Sequence, residues 1–219
     1  GMIMTFAIAA LIGFYLIYRG GIWVAAVGAV SILAALAYTA GPYPLAYNGL
    51  GEVFVFLFFG LVATLGTVYV QTLTLTRLDV WAAIPRAIGL SILQGGLLIS
   101  AILVVNNLRD RAGDEAAGKR TLAVLLGERG SVTEYTALVV SAYAVASAAI
   151  LLSIAPVQTF LVWVSVPLAI RLIRQMETVR GRAMNKMLAQ TGLLALVFSL
   201  LYAAGLVMAA LGIHLGMLR

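Results

Sequence analysis

Asn106, Asp110 and Asp114 stand four residues apart within N-N-L-R-D-R-A-G-D-E-A-A-G-K-R-T (106–121), the densest polar run of an otherwise apolar chain. On a helix, positions i, i+4 and i+8 drift slowly around one face, so these three side chains form a row of hard oxygens. Lys119 and Arg120 follow at once, and both suit an anion. Carboxylates beside cations are what a magnesium–diphosphate site needs. The plain alternative is a polar loop between two membrane helices with its charges in water, and spacing alone does not separate the two.

Everything around the run is greasy. The 219 residues are 63% hydrophobic and 10% charged, against about 25% charged in soluble domains, with a mean hydropathy of +1.08. An all-α integral membrane protein is expected, folded as one transmembrane bundle over 1–219. With no cysteine, disulfides and thiolate metal sites are excluded, and the single histidine, His214, excludes histidine clusters and serine–histidine triads. Chemistry is left to carboxylates, amides, hydroxyls, aromatics and cations. The net charge of +6 suits anionic lipid and anionic substrates, not specifically nucleic acid, and the positive-inside bias accounts for most of it.

The elements that must position the run follow from hydropathy and breakers. Residues 2–18 and 22–40 read as two spans with Gly20-Gly21 as the turn, and the first lacks the basic start and cleavage site of a signal peptide. Two prolines and three glycines break the chain over 41–51. Glu52 opens a third span to about Val70, and its expected role is to cap that helix. Phe54, Phe56, Phe58 and Phe59 are expected to meet lipid or pack. A polar loop with Gln71, Arg77 and Asp79 leads to a fourth span, started by Pro85 and running to Val105, where Gly95-Gly96 permits close helix packing. The polar run is expected as a loop over about 106–131. Spans over 132–155, 157–170 and 187–213 complete seven, with a charged loop at 171–186 whose basic residues set orientation or steer anions.

Seven spans put Arg109, Arg111, Lys119, Arg120, Arg129, Arg171, Arg174, Arg180, Arg182 and Lys186 on one side. Arg19, Arg77, Arg86 and Arg219 fall on the other. Positive charge marks the cytoplasmic face, so the run is expected there, in the cytoplasmic (bacterial-type inner) membrane.

The run N-N-x-R-D-x-x-x-D-x-x-x-G-K-x-T-L from Asn106 resembles the second aspartate motif of UbiA-type intramembrane prenyltransferases, in the form found in the 1,4-dihydroxy-2-naphthoate polyprenyltransferases of menaquinone synthesis. Y-T-A-G-P-Y-P-L-A-Y (38–47), G-L-G-E-V-F-V-F-L-F-F-G (49–60) and G-T-V-Y-V-Q (66–71) resemble the same subgroup. The resemblance implies a helical bundle that transfers a polyprenyl group from polyprenyl diphosphate to 1,4-dihydroxy-2-naphthoate, with Mg2+ bridging aspartates to the diphosphate. It implies Asp110 and Asp114 as catalytic metal ligands with Asn106 beside them. Arg109 and Lys119 would contact diphosphate, with Arg120 a weaker candidate. Tyr38, Tyr69 and Gln71 are candidates for the acceptor or prenyl pocket, and the alternative for both tyrosines is the interfacial aromatic belt.

One departure stands out. The family carries a first aspartate motif of the N-D-x-x-D kind, and no Asp, Glu or Asn lies upstream of Tyr38 here. The sequence therefore resembles the family without its first two helices, and this chain alone is expected to have little transfer activity. A non-catalytic bundle that binds lipid or quinone, or a prenyltransferase using another aromatic acceptor, remains the alternative. A transporter has little support, because the spans contain almost no charge.

Overall fold

The computed structural model describes residues 2–75 and 93–213. Expectations at Arg77, Asp79, Pro85, Arg86, His214 and Arg219 lie outside the described residues.

Helix α1 (Met2–Thr39) has no acidic residue and no basic one at its end, and its side chains face outward almost throughout. Gly21 breaks it, at φ 70° and ψ −158°, a conformation that only glycine adopts without cost. Each arm is about 27 Å long at 1.5 Å per residue, close to the ~30 Å hydrocarbon core. Beyond the proline-rich break, a 3-10 turn (Leu45–Tyr47) leads into a continuous rod. The rod consists of α2 (Gly51–Val55), a π-helical segment (Phe56–Val62) and α3 (Ala63–Leu75). It is followed by α4 (Leu93–Ala116), α5 (Leu122–Leu151), a 3-10 segment (Val157–Ser165), α6 (Val166–Thr178) and α7 (Met184–Ala210).

Five helical stretches among the described residues are long and apolar enough to cross a membrane: Ile3–Thr39, Gly51–Leu73, Leu122–Leu151, Val157–Thr178 and Gly181–Ala210. The chain is a multi-pass, helical membrane protein. The break at Gly21 divides the first stretch into the two arms expected from the sequence. Helix α4 is not among the five, because its C-terminal half carries the polar run.

Two expectations fail in detail. The polar run is no loop over 106–131: α4 stays helical through it to Ala116, and α5 resumes at Leu122. Nothing between Asn106 and Ala116 breaks a helix except Gly113, which costs only about 1 kcal/mol. Arg171, Arg174 and Glu177 likewise lie on α6 rather than in a loop. Their polar faces alternate with Leu172 and Met176, which are fully buried.

The core lies among α4, α5, α6 and α7, around Leu98, Val105, Tyr135, Leu172, Met187 and Phe198. Lipid offers no hydrophobic drive between helices, so close packing and polar pairs hold them together. Tyr135 on α5 shares a 3.1 Å hydrogen bond with Thr191 on α7, and Tyr143 shares one of 2.6 Å with Ser165. The expected close packing appears at Gly96. A Cβ there would stand 2.8 Å from the Phe56 ring and 3.2 Å from the Cα of Gly60, so α4 is seated directly on the π-helical segment.

Candidate functional site

The site is built on the last three turns of α4. Asn106, Asp110 and Asp114 recur at the helical repeat, and all three are half-buried. Arg109 binds this row. Its Nε donates to Asp110 Oδ1 at 2.8 Å and its Nη2 to Asp110 Oδ2 at 2.6 Å, a two-pronged fork. The same Nη2 donates to Asn106 Oδ1 at 2.9 Å. The remaining Nη1 donates to Asn185 Oδ1 at 3.0 Å, from the first turn of α7. The guanidinium beside Asp110, helped by the charge of Lys119, holds that carboxyl below the ordinary aspartate range.

Helix α4 ends in a way that brings Lys119 back. The Gly118 N–H donates to the Glu115 carbonyl at 3.0 Å, and the Lys119 N–H to the Asp114 carbonyl at 2.9 Å. These are the paired bonds of a Schellman turn, with Gly118 at φ 73° as its left-handed residue. The reversal lays Lys119 against the residue it has just bonded, and its Nζ donates to Asp114 Oδ1 at 2.8 Å. That bond raises the ammonium's pKa. A β-carbon at 118 would force an L residue into the left-handed region at about 1–2 kcal/mol. Gly118→Ala is therefore expected to lower the melting temperature by several degrees, and to weaken anion binding and reduce its salt dependence as Lys119 moves out of the site.

The loop before α2 closes over this turn. The Arg120 N–H donates to the Tyr47 carbonyl at 2.8 Å, and Lys119 Nζ sits 4.7 Å from the centre of the Tyr47 ring. The Arg120 side chain is exposed. On the opposite flank, Asn107 Nδ2 donates to Glu52 Oε1 at 2.7 Å. Glu52 is buried at 7% exposure and leaves Oε2 without a partner. Glu52 thus lies in the first turn, as expected for a cap, but its carboxylate also ties α2 to α4.

Tyr38 is brought to the same region. Its hydroxyl would stand 3.3 Å from a Cβ on Gly51, and its ring centre is 6.4 Å from that of Phe54. A mostly apolar cleft of about 410 Å³ opens here between α1 and α2, lined by Tyr38, Phe54, Phe58 and Phe59 among others. Phe54, Phe58 and Phe59 line this cleft, Phe54 and Phe58 stack with ring centres 5.9 Å apart, Phe59 is exposed and Phe56 packs beneath Gly96, in keeping with the lipid and packing contacts expected of them. Tyr69 and Gln71 are not brought to the cluster. They lie about 25 Å along the rod from Glu52, where the Tyr69 hydroxyl donates to the Gly20 carbonyl at 3.2 Å and Gln71 is exposed.

Asn185 and the Glu52–Asn107 pair were missed as site residues. A signal existed: the chain has only four asparagines, at 48, 106, 107 and 185, and an amide amid apolar residues needs a partner.

Among the described residues, no three of His, Cys, Asp and Glu gather as a metal cluster. A magnesium ion does not need one, because it is held by one or two carboxylates with substrate phosphates and water completing its shell. Two aspartates and an amide oxygen on one helix face, with cations alongside, fit that donor set. They do not fit a soft metal.

Comparison with known proteins gives a consistent picture. The sequence pattern of the UbiA prenyltransferase family matches residues 1–195. A 1,4-dihydroxy-2-naphthoate octaprenyltransferase of Mycobacterium tuberculosis is 38% identical over 213 residues, covering 92% of this chain and 65% of the relative. A protein of the same name from Bacillus subtilis is 32% identical over 183 residues, covering 84% and 54%. The human UbiA prenyltransferase domain-containing protein 1 is 32% identical over 166 residues, covering 76% and 45%. The chain thus spans about half to two thirds of the length of these relatives. No solved structure matches it.

Proposed function

Because the chain belongs to the UbiA prenyltransferase family, we propose that the α4 site binds a polyprenyl diphosphate, for transfer of its polyprenyl group to 1,4-dihydroxy-2-naphthoate in a single transmembrane prenyltransferase domain. The supporting observation is the row Asn106–Asp110–Asp114, bracketed by Arg109 and Lys119 at hydrogen-bonding distance. Donors and acceptors suited to a bridged diphosphate stand together on one helix end. The acceptor identity rests on the relatives' names.

Asn106, Asp110 and Asp114 would hold magnesium, which when bound neutralises charge building on the leaving diphosphate. Arg109 and Lys119 turn from the carboxylates to the diphosphate oxygens and orient them; their charges are fixed at neutral pH. The prenyl chain extends into the apolar cleft beside Tyr38 and Phe54. There the ring faces attract positive charge on the allylic carbon, and the cleft keeps water away. The excess of Lys and Arg on the polar helix ends and turns around the end of α4 orients this end of the bundle to the cytoplasm, in the cytoplasmic membrane.

The test is a calorimetric titration of a non-hydrolysable polyprenyl diphosphate analogue into the solubilised chain. Binding is expected with magnesium and not with chelator, and 1,4-dihydroxy-2-naphthoate is expected to bind to the resulting complex. Equal binding with and without magnesium would overturn the reading in favour of a bundle that merely holds lipid or quinone.

A further inference from the structure

We propose that Tyr47, which the diphosphate machinery above does not include, is a positioning residue for it, holding Lys119 in place through the face of its ring. The proposal rests on the reading that Lys119 contacts diphosphate. Three observations join the loop before α2 to the turn after α4. The Lys119 ammonium lies 4.7 Å from the centre of the Tyr47 ring, within the range of a cation–π contact. The Tyr47 carbonyl accepts the Arg120 N–H at 2.8 Å, which fixes the backbone one residue beyond Lys119. Gly49, at φ 73°, lets the loop approach so closely that a Cβ there would stand 3.1 Å from Leu125 Cδ1 and 3.5 Å from the Arg120 carbonyl.

The loop itself is stiff. Pro44 fixes the entry to the 3-10 turn, and its carbonyl accepts Asn48 Nδ2 at 2.8 Å. The ring is therefore presented on a braced support. Among the described residues Lys119 has two partners, the Asp114 carboxylate and this ring. When an anion takes the ammonium from Asp114, only the ring still holds it from the other side. A lysine has four rotatable bonds and loses up to about 2 kcal/mol of rotamer freedom when fixed. A ring already in place limits how much of that loss falls on ligand binding.

The experiment measures magnesium-dependent affinity for the polyprenyl diphosphate analogue, with thermal unfolding recorded on each variant. Tyr47→Leu is expected to lose about two- to five-fold in affinity, and Tyr47→Phe to retain it. Progressive fluorination of a phenylalanine incorporated at 47 keeps the shape but empties the ring face, and affinity is expected to fall step by step. Tyr47→Leu is expected to add nothing in a Lys119→Gln background. If Lys119→Gln weakens binding while fluorination does not, the positioning proposal is overturned and the diphosphate reading survives. If Lys119→Gln itself leaves affinity unchanged, the role given to Lys119 fails and the proposal fails with it. Should Tyr47→Leu fail to fold, the fluorinated series decides alone.

Discussion

Asp110→Asn and Asp114→Asn each lower magnesium-dependent affinity for a polyprenyl diphosphate by about 100-fold or more, while leaving the fold intact. The substitutions are isosteric, so no cavity or clash arises even at Asp114, the less exposed of the two side chains. What changes is the charge. A neutral amide oxygen still accepts hydrogen bonds but cannot neutralise a divalent cation, and the ion-bridged contact is worth several kcal/mol. The two variants differ in a second respect. Asp110→Asn releases a guanidinium that both carboxylate oxygens had held. Asp114→Asn leaves Lys119 with the Tyr47 ring as its remaining described partner. Residual magnesium-independent binding is therefore expected to be stronger in Asp110→Asn, where the freed Arg109 meets the anion. Calorimetry with magnesium and with chelator reads both effects, beside a Glu115→Gln control on the same helix. Affinity within two-fold of the parent for both aspartate variants would sink the assignment.

How much of this was legible in the sequence depends on the distance over which each feature is encoded. The row of oxygens is local: four-residue spacing on a helix sets it, and the structure keeps Asn106, Asp110 and Asp114 on one face. The cations were legible as types but not as locations: the stretch was expected as a loop, and the turn at Gly118 that lays Lys119 against Asp114 emerges only in the structure. What the sequence did not yield is where side chains from elsewhere arrive. Asn185 lies 76 residues beyond Arg109 and Glu52 lies 55 before Asn107; no local pattern specifies either pairing. Tyr69 and Gln71 fail to join the cluster for a matching reason. Their segment (66–71) follows closely on that of Glu52 (49–60) in the sequence, but an unbroken rod carries them about 25 Å away. The run was expected as a loop because hydropathy ends the span at Val105, whereas a helix emerging from lipid simply becomes polar and runs on to Ala116.

Arg109→Ala is expected to move two affinities in opposite directions. In the structure Arg109 occupies the oxygens that a divalent cation would use: it takes both carboxylate oxygens of Asp110 and the amide oxygen of Asn106, and is itself held by Asn185. A divalent ion arriving alone must displace a bidentate, charge-assisted pair, worth about 1.5–3 kcal/mol for such hydrogen bonds. Partial exposure, 26% for the arginine and 45% for the aspartate side chain, screens that figure toward its low end. Removing the guanidinium therefore raises affinity for manganese, as a magnesium surrogate in the absence of diphosphate, by about ten-fold. Affinity for the magnesium–diphosphate pair falls, because the anion loses a bidentate partner. Arg109→Lys keeps the charge but not the fork and lies between the two. Asn185→Ala, which frees one prong of the guanidinium, shifts both affinities the same way by a smaller factor. Manganese binding followed by electron paramagnetic resonance and analogue binding by calorimetry read the two directions independently. A parallel fall in both would mean that Arg109 serves only to hold α4 against α7. Opposite shifts would mean that the residue which holds Asp110 and Asn106 competes with the ion alone but grips the diphosphate, so that the ion and the diphosphate are taken up together.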